Sequence, residues 1–262
     1  MCAADALPEV LLDIRGVTKR FGGLTALEGV SAAVGRNEIF GLIGPNGAGK
    51  TTLFNVLTGV YGPDAGAVVF EGVRVSGLKP HRIAAHGIAR TFQNIRLFGN
   101  MTALENVMVG RHLRTRAGVV GAVLRGKATR AEEAAILERA RELMDYCGIG
   151  AHGNGLARAL SYGDQRRLEI ARALATDPRL LALDEPAAGM NATERAGLTE
   201  LLEQIRNDGV TVLLIEHDVK LVMGLCDRVA VLDYGLKIAE GPPAEVQRNA
   251  AVIEAYLGGA LA

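Results

Sequence analysis

The segment GPNGAGKTT, residues 44–52, constrains the fold of this chain more than any other stretch. It follows the apolar run IFGLI and precedes the apolar segment LFNVL, so it lies between a predicted buried strand and a predicted helix. The pattern G-x-x-x-x-G-K-[ST] in this setting is typical of a loop that binds phosphate through backbone amides. Glycines allow the required turn, and the helix N-terminus adds a partial positive charge. The sequence therefore predicts a nucleotide phosphate site here.

Two side chains of this loop have predicted roles of their own. Lys50 supplies a full positive charge to the β and γ phosphates, and Thr51 offers a hydroxyl to Mg²⁺, a cation that prefers oxygen ligands. The loop residues predicted to bind nucleotide are Gly44, Pro45, Asn46, Gly47, Ala48, Gly49, Lys50, Thr51 and Thr52.

Composition narrows the class of protein. The 262 residues suffice for one sizeable core, and 29 basic residues balance 29 acidic ones, which favours neither nucleic acid nor a polyanionic partner. No apolar run reaches the roughly 18 residues of a membrane span, and no secretory signal is expected at the N-terminus. The three cysteines are far apart and fit neither a disulfide framework nor a zinc site.

Apolar strands alternate with helical segments along the rest of the chain, which predicts a parallel sheet covered on both faces. The segment before the loop and the segment after its helix are predicted to form a β-rich platform beside it. The strand LLAL ends at Asp184 and Glu185, and the strand VTVLLI ends at Glu216 and His217. Ligands bind at the carboxyl ends of such strands. We therefore expect the phosphate loop, the acidic pair and His217 at one edge.

The acidic pair suits phosphoryl transfer. Asp184 would hold the metal or its water shell, Glu185 would polarise the attacking water, and His217 would hydrogen-bond the γ-phosphate. The structural alternative is an acidic pair that ends a strand in solvent. Phe21, before a double glycine, either stacks on a purine or belongs to the core.

The stretch between residues 111 and 130 is basic and contains no acidic residue. It would either contact a membrane protein or anionic lipid headgroups, or form a solvated connection between helices. The sequence leaves both possibilities open.

Five motifs together resemble an ATP-binding cassette (ABC) ATPase: GPNGAGKTT, Gln93, LSYGDQ, LLALDEP and His217. LSYGDQ resembles the signature LSGGQ; it keeps Ser161, Gly163 and Gln165, whereas Tyr162 and Asp164 depart from the commonest form. The resemblance implies an α/β fold: a phosphate-loop NTPase (RecA-like) core with an antiparallel β subdomain and a helical signature subdomain. It implies one cassette over residues 1–262, with the helical subdomain at about 94–176 and a C-terminal helical tail at about 241–262.

The resemblance also implies a head-to-tail dimer that binds ATP and Mg²⁺ between two cassettes. Phe21 would then stack on adenine, and Ser161, Gly163 and Gln165 would belong to the signature that caps the partner's ATP. The implied catalytic residues are Glu185 as base, His217 as switch and Gln93 as metal sensor. The implied metal-binding residues are Thr51, Gln93 and Asp184.

Three further stretches resemble the ATPase subunit of branched-chain amino acid importers: RTFQNIRLFGNMTALENVMVG, PAAGMNATE and EGPPAEVQRNAAVIEAYLG. That group implies permease subunits and, indirectly, a solute-binding protein as partners. It places the chain peripherally on the cytoplasmic face of the inner membrane, with no nucleic acid partner. Asn191 stands where most ABC proteins carry Asp, and Ala192 replaces the group's usual Pro.

Alternatives remain at this stage. A urea or amide importer and a lipopolysaccharide exporter have related ATPases. A soluble ABC protein acting on nucleic acid or ribosomes would usually carry two cassettes or a coiled-coil insertion, and a non-hydrolysing module would lack Lys50 or Glu185. The sequence does not identify the solute, because this subunit does not touch it. It also leaves open whether the second cassette is another copy of this chain or a paralogue.

Overall fold

The computed structural model describes residues 9–115 and 126–258. Its strands form two sheets, one mostly parallel and one antiparallel. The strands are β1 (Val10–Phe21), β2 (Leu24–Gly35), β3 (Ile39–Ile43), β4 (Ala65–Phe70), β5 (Val73–Arg74), β6 (Ile88–Arg90), β7 (Leu180–Asp184), β8 (Thr211–Ile215), β9 (Arg228–Asp233) and β10 (Leu236–Gly241).

Helices connect these strands and cover the parallel sheet. They are α1 (Lys50–Leu57), α2 (Pro80–Ala85), α3 (Ala103–Gly110), α4 (Lys127–Tyr146), α5 (Tyr162–Leu174), α6 (Ala192–Asn207), α7 (Val219–Leu225), α8 (Pro243–Val246) and α9 (Ala250–Gly258). In the described ranges, no helix is long and apolar enough to cross a membrane.

The parallel sheet has the order β10-β9-β3-β8-β7-β6, and only β10 runs antiparallel to its neighbour. Every residue of β3, β7 and β8 is buried, as their continuous apolar sequences predict. Because β3, β8 and β7 are adjacent and parallel, their carboxyl ends meet at one edge. The predicted α/β architecture is confirmed, and this edge carries the phosphate loop and the acidic pair.

Alternate residues of the central strands enter two separate cores. In β3, Ile39 and Ile43 pack with the helices on one face, whereas Phe40 and Leu42 pack with α1 and the antiparallel sheet on the other. The side-chain period of two in a strand sends neighbours to opposite faces. The strand that carries the phosphate loop is therefore fixed from both sides.

The antiparallel sheet has the order β2-β1-β4-β5 and is the predicted β-rich platform. The apolar run at residues 10–14 predicts a strand at β1, whereas no strand is predicted at β2, whose glycine and alanine residues have low strand propensity. Pairing with β1 from Val10↔Gly35 to Phe21↔Leu24 overrides that propensity. The hairpin turn between β1 and β2 brings Phe21 to the end of the platform.

The helical region begins with α3. The sequence predicts a capping box there, from Thr102 with Glu105 three residues later, and it is present: Thr102 accepts from the Glu105 amide and Glu105 accepts from the Thr102 amide. Residues 116–125 of the basic stretch lie outside the described residues. Before them, Arg111 and Arg114 both pair with Asp177. These two arginines therefore have a structural function at the base of the helical region.

The resemblance implies a C-terminal helical tail at about 241–262, and within it the structure forms two separate helices, α8 and α9. The Asn249 side chain accepts a hydrogen bond from the Ala251 amide, which caps the start of the second helix. Asn249 therefore restarts the helix and lets α9 turn toward the phosphate loop.

Candidate nucleotide site

The phosphate loop is held in shape by glycines that no other residue could replace without strain. Gly44 has φ 152°, and a Cβ there would lie 2.1 Å from the Leu232 carbonyl oxygen. Gly49 has φ 100°, and its Cβ would lie 2.7 Å from the Ala26 carbonyl oxygen. Gly49 is also the N-cap of α1 and has no side chain to satisfy the first amides. Those amides are available to an anion.

Lys50 lies at the centre of this loop. Its ammonium donates to the carbonyl oxygens of Gly44 at 2.7 Å and Pro45 at 2.9 Å, and the residue is only 8% exposed. Burial lowers the pKa of Lys50, and the carboxylates of Glu185 and Asp184 act in the opposite direction. A buried cation between a helix N-terminus and two carboxylates is suited to binding a polyphosphate with its metal.

The acidic pair splits into a buried and an accessible carboxylate. Asp184 ends β7, is 2% exposed and lies 3.6 Å from the Arg90 guanidinium. Burial raises the pKa of Asp184, and Arg90 partly offsets this. Glu185 accepts a hydrogen bond from the Gln93 side chain at 3.1 Å, and the His217 imidazole lies 3.6 Å from the same oxygen. The structure thus brings three predicted catalytic side chains together.

Lys50, Gln93 and Glu185 line a cleft of about 440 Å³, whereas Asp184 and His217 do not line it. Phe21 also lines this cleft and is 41% exposed, with its ring 5.2 Å from that of Tyr61 and 5.4 Å from the Lys19 ammonium. The lining residues are Phe21, Leu24, Thr25, Ala26, Asn46, Gly47, Ala48, Gly49, Lys50, Thr51, Thr52, Gln93, Glu185 and Tyr234. The half-exposed Phe21 favours the base-stacking interpretation over the core one.

A larger hollow of about 770 Å³ lies behind the loop, between it and α9. It reaches Pro45 to Ala48 but none of Lys50, Gln93 or Glu185. The Tyr256 hydroxyl is buried against the Gly44 backbone there without a hydrogen bond of normal geometry. Lys50, Gln93 and Glu185 therefore line the smaller cleft, whereas residues of α9 line the larger hollow.

The signature residues lie elsewhere. Ser161 is the N-cap of α5; its hydroxyl accepts from the Asp164 amide at 3.2 Å and donates to the Asp164 carboxylate at 2.7 Å. Gln165 donates to the Leu160 carbonyl oxygen, and Gly163 packs on Glu194. None of these three predicted nucleotide-binding residues lines the cleft. In one chain, the structure does not bring the signature to the phosphate loop.

The oxygen-rich donor set fits Mg²⁺. Thr51, Gln93 and Asp184 offer a hydroxyl, an amide oxygen and a carboxylate, which are the ligand types that this ion prefers. Within the described ranges, no three histidine, cysteine or acidic residues cluster into a metal cage. Such a site would rely on phosphate oxygens and water for its remaining ligands.

Sequence comparison identifies the class of this site. A family model described as ABC transporter matches residues 27–188. LivG of Salmonella typhimurium, a high-affinity branched-chain amino acid transport ATP-binding protein, is 46% identical over 253 residues, covering 96% of this chain and 99% of LivG.

The chain belongs to the ABC transporter family.

Its members hydrolyse ATP to drive transport, and this cassette is an ATPase of that class. A second model, described as branched-chain amino acid ATP-binding cassette transporter, matches residues 237–262. The crystal structure of the ADP conformation of an ABC transporter cassette matches with TM-score 0.83 and 32% identity over 95% of this chain and 99% of that one. A dimeric structure of a post-hydrolysis state of a cassette bound to ADP and Pi matches with TM-score 0.75 and 25% identity, over 89% of this chain and 99% of that one.

Arg166 and Glu169 connect the signature helix of this cassette to the Gln93 segment, and sequence reasoning missed both. The Arg166 guanidinium donates to the carbonyl oxygens of Phe92 and Gln93, and Glu169 accepts from the Arg96 amide at 2.8 Å. Both residues are 2% exposed and form an ion pair. The sequence places these two charged residues on the buried face of a helix. Because charged residues are seldom buried without partners, this position could have indicated that both bind another segment.

Glu216 and Arg90 were also missed as site residues. Arg90 donates to Asn55 of α1 and to Thr58, the residue that follows this helix, and lies beside Asp184, so it fixes the buried carboxylate. Glu216 is 1% exposed and contacts the segment that follows Glu185. The sequence shows that Glu216 directly follows a buried strand, but it does not show that its carboxylate accepts from the Ala187 amide.

Proposed function

We propose that this cassette is the ATP-hydrolysing subunit of an importer of branched-chain amino acids. The match of residues 237–262 to the branched-chain amino acid model carries the solute assignment, because it lies outside the part shared with ABC transporters in general. Near-complete alignment with LivG supports it. We assign residues 94–176 to a helical subdomain and 241–262 to a C-terminal tail.

The Glu185 carboxylate is the general base of this proposal. It accepts the proton of a water that attacks the γ-phosphorus, while the bond from the γ-phosphorus to the bridging oxygen breaks and ADP leaves with the electron pair. Gln93 holds the Glu185 carboxylate through its hydrogen bond, and Glu185 directly follows Asp184, the last residue of β7. Positioning and charge stabilisation are the main contributions that phosphoryl transfer needs.

The phosphate loop binds the polyphosphate chain. The open amides of α1 and the Lys50 ammonium face the β and γ phosphates, and Phe21 stacks on the adenine in the cleft. Thr51, Asp184 and Gln93 would hold Mg²⁺, which would neutralise developing charge on the phosphates. His217, beside Glu185, donates to the γ-phosphate.

The signature completes the site from a second cassette. Because Ser161, Gly163 and Gln165 do not line the cleft of their own chain, they are available to cap ATP bound by a partner. A permease receives the resulting motion, and a solute-binding protein delivers solute to it. We place the cassette peripherally on the cytoplasmic face of the membrane, with no nucleic acid partner.

Reconstitution tests this proposal. The cassette, with the permease and binding protein that co-purify with it, is placed in vesicles, and ATP-dependent uptake of leucine, urea and a control sugar is measured. Leucine uptake that needs ATP and Mg²⁺ supports the assignment. Urea uptake without leucine uptake would overturn the solute assignment and leave the ATPase in place. Export of lipopolysaccharide or binding to ribosomes would overturn the importer role.

A further inference from the structure

Glu216 is a buried carboxylate beside the catalytic centre to which no role has been assigned. It is 1% exposed, yet no arginine or lysine in the described part of the chain forms an ion pair with it. Burial raises its pKa, and the Ala187 amide and the His217 side chain lower it. Burying a carboxylate without a strong cation partner destabilises a fold. Its position therefore calls for a function.

The contacts of Glu216 join two loops of the site. One carboxylate oxygen accepts from the Ala187 amide at 2.9 Å, and the other accepts from the His217 amide at 3.2 Å. The His217 ring nitrogen lies 3.7 Å from Glu216 and 3.6 Å from Glu185. Glu216 therefore connects the segment after the catalytic base to the predicted histidine switch.

The base needs such a connection because its backbone is strained. Glu185 has φ 46°, a left-handed conformation that is unfavourable for a non-glycine residue and persists only when surrounding contacts fix it. The Glu185 amide donates to the Ile215 carbonyl oxygen at 2.9 Å, which fixes one side. Two residues later, the hydrogen bond from Ala187 to Glu216 fixes the other.

A second bridge joins the same loops. Arg195 of α6 donates to the Met190 carbonyl oxygen at 3.2 Å and to the Asp218 carboxylate at 2.9 Å. The segment 185–191 and the segment 216–218 are thus joined at two points. Of these, Glu216 is the nearer to the base.

We infer that Glu216 is a positioning residue for ATP hydrolysis, which holds the strained Glu185 and the His217 loop in one catalytic arrangement. The inference rests on the proposed function, since it assumes that Glu185 is the base. It does not place Glu216 in contact with ATP. Loss of Glu216 should therefore lower kcat and leave ATP binding intact.

Three variants of the full chain test this role: Glu216→Ala, Glu216→Gln and Glu38→Gln. Alanine removes both hydrogen bonds, whereas glutamine keeps one acceptor and turns an amide donor toward the other backbone amide. Glu38 is the control, a buried carboxylate that accepts from the Gly35 amide and pairs with Arg228. It precedes β3, whereas Glu185 follows the carboxyl end of β7. The pKa of Glu38 is likewise raised by burial.

We expect kcat to fall about a hundredfold in Glu216→Ala and about tenfold in Glu216→Gln, because misplacing a reacting group by about 1 Å costs that much. In both Glu216 variants, KM for ATP and ATP affinity should stay within about twofold of wild type. In Glu38→Gln, kcat should also stay within about twofold of wild type. Thermal melting separates folding from catalysis, and Glu216→Gln carries the test if the alanine variant does not fold.

Wild-type kcat in Glu216→Gln would overturn the inference. So would a rise in KM without loss of kcat, or an equal loss of kcat in Glu38→Gln. The wild-type chain in the same assay separates the two proposals. If it turns over ATP and the Glu216 variants match it, only this inference fails. If it binds ATP without hydrolysing it, the proposed function fails and this inference with it.

Discussion

Two helix N-termini of this molecule lie within glycine-containing motifs, yet they are built differently. Helix α1 starts after Gly49, which has φ 100° and no side chain, so its first amides are open. Helix α5 starts after Ser161, whose hydroxyl already bonds both the amide and the carboxylate of Asp164. The first end faces the nucleotide cleft of its own chain, and the second does not line that cleft.

The difference indicates when each end can bind phosphate. The α1 end is preorganised, because its loop is fixed by glycines packed on carbonyl oxygens and by the buried Lys50. At the α5 end, the Ser161 hydroxyl already forms hydrogen bonds with Asp164. It must turn away from Asp164 before it can bind an anion. We propose that α1 binds ATP in the single chain and that α5 acts only when a second cassette approaches.

Glu185→Gln should have the largest effect and leave both helix ends unchanged. It removes the proton acceptor while keeping side-chain size, so turnover should fall by about 10²–10⁴ and ATP affinity should remain. Steady-state hydrolysis and nucleotide binding measure the two quantities. Normal hydrolysis by this variant would disprove the role of Glu185 as base.

Lys50→Ala should disable the α1 end. The loss of a buried cation that faces phosphate should weaken ATP binding about a hundredfold. Lys79→Ala removes an exposed lysine outside the cleft and should change affinity by less than about twofold. Equal affinities for the two variants in a titration would place the phosphates elsewhere.

Ser161→Ala should disable the α5 end without touching ATP binding by the single chain. In the Glu185→Gln background, ATP-driven dimer formation should weaken about tenfold, as expected for one lost hydrogen bond to a charged group. Thr102→Ala is the control, because it removes another N-cap hydroxyl. Like Ser161→Ala, it should lower the free energy of unfolding by ~1 kcal/mol, but it should leave dimer formation unchanged. Sedimentation with ATP distinguishes them, and unchanged association of Ser161→Ala would refute the signature assignment.

The smallest effect is expected for substitutions of Arg96 and Phe98, which follow Gln93 and lie between α1 and α5 in the sequence. Phe98 is 49% exposed, and the Arg96 guanidinium lies 4.4 Å from the Phe92 ring. Replacing both by alanine should leave ATPase within about twofold and lower uptake per ATP about fivefold, since such residues often dominate interfaces.

The control for this coupling prediction is Arg15→Ala with Val73→Ala, a similar pair exposed on the antiparallel sheet. It should change neither ATPase nor uptake. Uptake by the Arg96 and Phe98 variant that stays proportional to its ATPase would contradict the coupling role.

Local sequence was sufficient for much of this molecule. The order of strand, loop and helix around residues 44–52 was predictable because one contiguous stretch contains the apolar strand, the glycines and the helix start. The capping box at Thr102 and Glu105 was equally local. In contrast, β2 was missed because its identity depends on pairing with β1, and the break at Asn249 was missed because propensity continues across it.

The sequence by itself determined the phosphate loop and placed Asp184, Glu185 and His217 at strand ends, because each follows from a local pattern. Only the tertiary structure decided that Arg166 binds the Gln93 backbone, 73 residues away, and that Glu216 binds the Ala187 amide, 29 residues away. It also decided that the signature lies outside the cleft of its own chain. Such contacts depend on how strands order themselves in a sheet, and no local preference of the chain encodes that order.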